Sequence, residues 1–306
     1  PLDKAMFMKQ NGLDSEPDFD AFLLNGRTKL LAERAKRIRP GLDDKILLDW
    51  NMMLISAYCK AYKALGIEAY KNRALKALNF ALKAFRVGAD SLHLHHSYKN
   101  GQAKHHAFLD DYAFLIEALI EVHTITQDTD YSNLAKEYLD FVNNEFLDHQ
   151  QNLYYFTSAK QEDIILHKKA IYDGATPSGN AIMLHNLQRL GVLFDAPEYR
   201  AQALKMTLVV KDKMAEYPSS FGQWANALFL EVYPLKTIAV MGTAINSTVQ
   251  TLLSKALLNT FISTAETKAV RDLTVPSTTG DVSIVVCKNY TCSLPVNSVE
   301  AALDLL

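Results

Sequence analysis

The chain has 306 residues, 49% of them hydrophobic and 22% charged, which is enough apolar material for one large domain or a domain with a smaller annex. A formal net charge of −2, with no run of basic residues, gives no electrostatic pull toward nucleic acid or anionic lipid. No stretch reaches the uninterrupted apolar length of a membrane span, and three cysteines are too few for a disulfide scaffold.

The start, PLDKAMFMKQ, has no signal-peptide core and no initiator methionine, so a piece of a longer cytoplasmic protein is expected. From about Asp18 to Tyr233 the chain is a succession of helical patterns of two alternating kinds. Asp44 to Leu65 and Leu109 to Ile125 are apolar nearly all round, the latter with Glu117 and Glu121 as its exposed pair. Glu68 to Phe85, Tyr131 to Phe146 and Pro197 to Met214 are one-sided, with Tyr70, Ala74, Leu78, Ala81 and Phe85 forming the stripe of the first. This alternation predicts layered helical hairpins, with inner helices beginning near Asp43, Leu109, Ser178 and Ser220 and outer helices facing water.

Two insertions interrupt the helices. The run from Asp90 to His106 has a hairpin signal at Asn100-Gly101, and Asn152 to Tyr172 reads as two extended pieces around a polar turn. Both lead into the start of an inner helix, so parallel inner helices would gather the insertions and helix N-termini at one mouth. After Tyr233 the pattern changes to strand (Leu235 to Met241), helix (Ser247 to Phe261), strand (Ser283 to Cys287) and helix (Ser298 to Leu306). The expected domains are therefore residues 1–234, helical, and 235–306, a small α/β segment.

Chemistry concentrates at the predicted mouth. Asp43 and Asp44 in GLDDKILLDWN and Asp110 and Asp111 in FLDDYAFLIEAL head two buried helices. One aspartate of each pair has an ordinary explanation as a helix cap. Its neighbour must bond elsewhere, and two such pairs facing one another can divide into an acid and a base, as glycoside chemistry requires. Trp50 and Tyr112 could line a sugar, with Asn51, Asp173, Ser178 and Asn180 adding polar groups; core packing for Trp50 and turn grammar for Asp173 and Ser178 are the plain alternatives. Asp44 and Asn51 would share a helix face at i, i+7.

His93, His95, His96, His105 and His106 cluster in the first insertion, but no carboxylate or cysteine stands at a familiar ligand spacing, so neither a metal nor another cofactor is expected. Cys59 reads as inert core. Cys287 and Cys292, in VVCKNYTC, leave a disulfide, two thiols with a redox role, or two ligands of an incomplete metal site chemically open, metal being the weakest. Asn246-Ser-Thr and Asn289-Tyr-Thr are chance matches to a glycosylation acceptor.

The strings RPGLDDKILLDWN, FLDDYAFLIEAL, DGATPSGN and VCKNYTC followed by Pro295, in that order, resemble the thioredoxin-domain-containing family that includes the spermatogenesis-associated proteins. The resemblance covers the chain from about Gly26 onward. It implies a mainly α fold, an (α/α)6 toroid of the six-hairpin glycosidase type with a small C-terminal segment, similar in architecture to N-acylglucosamine 2-epimerases. About eight helices are legible here, fewer than a closed toroid needs, so an open arc is expected. The family's thioredoxin-like domain and upstream toroid helices would be its partners. Two functions follow as expectations: a glycosidase-like or epimerase-like domain holding a carbohydrate in a central cavity, with Asp110 or Asp111 opposed to Asp43 or Asp44, or a non-catalytic helical scaffold.

Overall fold

The computed structural model describes residues 3–88, 91–243, 245–255, 257, 259–264, 282–288 and 291–306. The chain divides into two compact units, Pro1–Asp44 and Lys45–Leu306.

The first unit holds α1 (Lys4–Gln10) and α2 (Glu16–Ala35). Ser15 caps α2 by accepting the Asp18 N–H at 3.3 Å, and Phe7 packs edge-on against Phe19 and Phe22. No residue of either helix is buried.

The second unit begins with β1 (Ile46–Leu47), α3 (Leu48–Leu65) and α4 (Glu68–Ala84), then the hairpin β2 (His95–Lys99) and β3 (Gln102–His106). It continues through α5 (Leu109–Thr126), α6 (Thr129–Glu145), the small pair β4 (Leu147–Asp148) and β5 (Leu153–Tyr154), α7 (Gly179–Leu193), α8 (Pro197–Glu216) and α9 (Gly222–Val232). In this α/α-toroid arrangement α3, α5, α7 and α9 pack side by side as the inner row, and α4, α6 and α8 each pair back onto the inner helix before them. Every residue of α5 from Leu109 to Ile125 is buried except Asp110, as an all-round apolar helix demands. The outer helices bury single stripes, such as Ala74, Leu78 and Ala81 of α4.

Several boundaries differ from expectation. The third helix starts at Leu48 and not near Asp43, because Ile46 and Leu47 pair with Tyr98 and Ser97 as an added strand of the hairpin. A short continuous apolar run does not by itself distinguish strand from helix. Asp44 is therefore not helical, and its i, i+7 relation to Asn51 does not exist. Glu117 and Glu121 are buried rather than exposed, since Lys60, Lys63 and Arg189 reach them from the neighbouring inner helices. The second insertion forms regular strand only at Leu153 and Tyr154; beyond it, Phe156 donates its N–H to the Lys168 carbonyl and accepts the Leu109 N–H.

Near residue 235 the architecture turns to β6 (Lys236–Gly242), α10 (Ile245–Leu253), β7 (Thr260–Thr264), β8 (Val282–Lys288), β9 (Thr291–Cys292) and α11 (Val299–Leu303). The sheet order is β7-β6-β8-β9, with β6 and β7 parallel and the other pairs antiparallel. The helix expected to reach Phe261 ends at Leu253, and the β-branched run Thr260 to Thr264 becomes a strand. Cys287 and Cys292 stand opposite one another on β8 and β9 and form a disulfide, while Cys59 is free and buried. Asn246 lies in α10; Asn289 is outside the described residues. Among the described residues no helix is long and apolar enough to cross a membrane.

Candidate functional site

The start of α5 is built around one carboxylate. Asp111 stands at the third position of the helix, and its Oδ2 accepts the N–H of Phe108, so the side chain reaches back over the first turn to satisfy the amide at the helix start. Its Oδ1 accepts the Asp49 N–H from the first turn of α3 at 3.0 Å. The Nδ1 of His96, on β2, faces both oxygens at 2.9 and 3.1 Å. Asp111 therefore ties two inner-helix N-termini and the hairpin together from a fully buried position. Burial raises its carboxyl and His96 and the Phe108 amide hold back part of that rise, while the Phe108 and Asp49 amides are donors that suit an ionised Asp111. The bond to Asp111 in turn raises His96, burial opposes it, and the charges of Asp111, Asp49 and Asp110 add to the rise.

Asp110 sits differently. It is the one residue of its helix face that reaches solvent, and its Oδ1 is buried without a hydrogen bond of normal geometry. Its carboxyl is pushed up to about 6, first by burial and then by the charges of Asp111 and Asp49, which outweigh the Gly179 amide and His96. The second glycine of the DGATPSGN motif, Gly179, has a packing reason: a Cβ there would fall 2.2 Å from Asp110 Oδ1, so any larger residue would have to displace this carboxylate. Asp49, also raised by burial and held back by the Trp50 amide and His96, completes the group.

Asp49, His96 and Asp111 each offer a ligand atom within 4.8 Å of the others, which is compatible in principle with a cation. The hydrogen bonds weigh against it: both Asp111 oxygens already accept backbone N–H groups and face His96, so an ion would have to displace the links that hold the helix starts. The arrangement suits proton transfer better, with one carboxyl able to carry a proton beside a second whose oxygens are already held by fixed donors.

The other sequence candidates scatter. Asp43 and Asp44 are exposed, in chain without regular structure, and belong to the first unit; the first-turn carboxylate of α3 is Asp49. Trp50 is 61% exposed at the head of α3, and Asn51 donates to the Leu47 carbonyl at 2.7 Å. The Tyr112 ring is buried, and its hydroxyl accepts the Leu94 N–H at 3.0 Å. Asp173 accepts the Ser178 N–H through one oxygen and the Gln223 N–H through the other, linking the starts of α7 and α9. Ser178 caps α7, and Asn180 clamps the second insertion through Tyr154 and the Ala170 carbonyl. Of the histidines, His96 joins the site, His95 pairs across the hairpin with His106, and His93 meets the Phe141 ring.

Sequence reasoning missed Asp49 and the role of His96. The signal for Asp49 lay inside ILLDWN, one apolar run after the LDD pair, and needed the strand-to-helix switch at Leu48 to be seen.

The links at Asp111, Gly179 and Asp173 make adjacent N-termini neighbours along the whole inner row, so the four inner helices run parallel and share one mouth. Below it a cavity of about 510 Å³ lies against all four, starting one turn under Asp49 and Asp110 at Met53 and Phe114. Further in, Lys60 meets Glu117 at 3.4 Å, and Glu121 lies between Lys63 and Arg189 at 2.7 and 2.8 Å. Burial alone would raise Glu121, but Arg189, Lys63 and Lys60 hold it below the ordinary carboxylate range.

No family model matches the chain. In sequence it is 26% identical over 305 residues to spermatogenesis-associated protein 20 of Homo sapiens, covering 93% of this chain and 39% of that protein. An uncharacterised Caenorhabditis elegans protein is 25% identical over 287 residues, covering 89% and 39%. The resemblance carried by the four motifs thus holds along the chain, which spans 39% of the length of each of these relatives. Among solved structures, a GH76 α-mannanase of Bacteroides thetaiotaomicron is similar with a TM-score of 0.46 and 18% identity, over 58% of this chain and 46% of that one.

Proposed function

We propose that the mouth of the inner helices binds a carbohydrate and transfers a proton to or from it, with Asp110 as the group that carries the proton and Asp49 as the second carboxylate. The observation that supports this most is the unequal treatment of two adjacent aspartates. Asp111 is saturated with donors, while Asp110 is largely buried, weakly bonded and held at about 6, above an open cavity. A carboxyl poised near neutrality is what glycoside hydrolysis asks of its acid and epimerisation asks of its base. In this reading Trp50 offers an exposed ring at the rim, and a thioredoxin-like domain and further toroid helices are partners supplied by a longer protein.

The test has two parts. Incubating reducing disaccharides with the chain in D2O separates the chemistries: deuterium at C2 marks epimerisation, and released monosaccharide marks hydrolysis. Either activity should titrate with an apparent pKa near 6 and vanish in Asp110→Asn. The same substitution has a stability signature. The folded carboxyl lies above the unfolded value of about 3.9, so the native chain binds more protons than the unfolded one between roughly pH 4 and 6, and stability falls as pH rises through that window. Asp110→Asn should remove this fall, on the order of 1–2 kcal/mol, in urea unfolding across the range.

The scaffold reading has one observation in its favour: Asp111 and Asp173 are fully used in joining helix starts. Absence of both binding and turnover, with the Asp110 carboxyl titrating near its ordinary value, would select it.

A further inference from the structure

We propose that the ligand of this mouth enters end-on, as the terminus of a short neutral oligosaccharide whose end units occupy the cavity beneath the aspartates; this rests on the carbohydrate reading above. The shape of the cavity carries it. On α3 the lining runs from Met53 to Lys60 and on α9 from Gln223 to Leu230, two helical turns on each wall and about 10 Å along the axis. Measured from Asp49, the path to Lys60 is about 16 Å. That is deeper than one sugar ring, and a ligand lying only across the rim would leave it unused.

The lining also selects a ligand type. Phe229 presents an exposed apolar ring and the buried Phe114 backs the wall, while His185, Gln223 and Asn226 present groups for hydrogen bonding. That combination matches a sugar, which has an apolar ring face and a hydroxyl edge. Among the described residues of the lining, one cation, Lys60, is matched by one carboxylate, Glu117, so these offer no net charge to a phosphate or a charged peptide. Burial keeps His185 neutral by lowering it to about 3, leaving it a hydrogen-bonding group without charge. The volume, about 510 Å³, falls within the range of small-molecule sites.

The test compares chain lengths. Glucose, mannose and N-acetylglucosamine, with the di- and trisaccharide of each, are titrated calorimetrically into the 306-residue chain, into Ala57→Trp and into Asn226→Ala. Ala57 and Asn226 line the cavity from exposed positions, so both variants are expected to fold, which circular dichroism and the melting temperature check. In the native chain one series should bind about tenfold more tightly as trisaccharide than as monosaccharide. The ratio should fall to near one in Ala57→Trp, where the indole fills the cavity, and to an intermediate value in Asn226→Ala. Equal affinity for all lengths in the native chain, or a length gain that survives Ala57→Trp, overturns end-on entry while leaving the sugar site at the mouth. No binding by any sugar removes the carbohydrate reading and this inference with it.

Discussion

Two aspartates in this molecule do the same mechanical job with different surroundings. Asp111 joins the starts of α5 and α3, and Asp173 joins the starts of α7 and α9, each by accepting backbone N–H groups from two places. Asp173 does so half-buried, its two oxygens each taking one amide. Asp111 does so fully buried, facing a histidine and with Asp110 and Asp49 beside it. A helix-joining carboxylate is thus not in itself a site. What turns one joint into a candidate site is the second carboxylate that the first cannot satisfy.

Substitutions can break this comparison. The largest effect is expected from Asp111→Asn. Its amide can accept fewer donors than the carboxylate, and His96 loses its counter-charge, so a cost of about 3–5 kcal/mol should appear in denaturant unfolding. A cost no greater than that of the Asp173 variant would mean the two joints are equivalent after all. Gly179→Ala comes next, at about 1–3 kcal/mol, because the added methyl must push Asp110 aside. In the same variant the Asp110 carboxyl, followed by carbon NMR, should titrate closer to its ordinary range as it moves into water. Asp173→Asn is the mildest, about 1–2 kcal/mol, through one amide left without its acceptor. The Asp110 titration should not move there, and a shift would show that the two ends of the inner row are electrostatically linked.

Much of this architecture was legible in the residues, and the reasons are physical. All-round apolarity in Leu109 to Ile125 and one-sided stripes in Glu68 to Phe85 follow from what each helix touches, so inner and outer helices separate on pattern alone. The mouth and its Asp110-Asp111 pair followed from placing insertions at helix starts. Asp49 did not, because Ile46-Leu47-Leu48 suits a strand and a helix equally and only the hairpin decides where one ends. Pattern alone misplaces Glu117 and Glu121 for a related reason: it shows that a residue is charged, but the cations that reach them, Lys60 for Glu117 and Lys63 and Arg189 for Glu121, are distant in sequence. His96 likewise stood among five histidines, and only the fold of β2 against α5 chose it.

The strand pairing of Ile46 and Leu47 has a mechanical consequence. The hairpin that carries His96 is sewn to the two residues immediately preceding α3, and Asp49 follows them within one turn. His96 and Asp49 are therefore parts of one lever. A motion that swung the hairpin outward would drag the head of α3 along with it, and the acidic group would be disassembled as a unit or not at all.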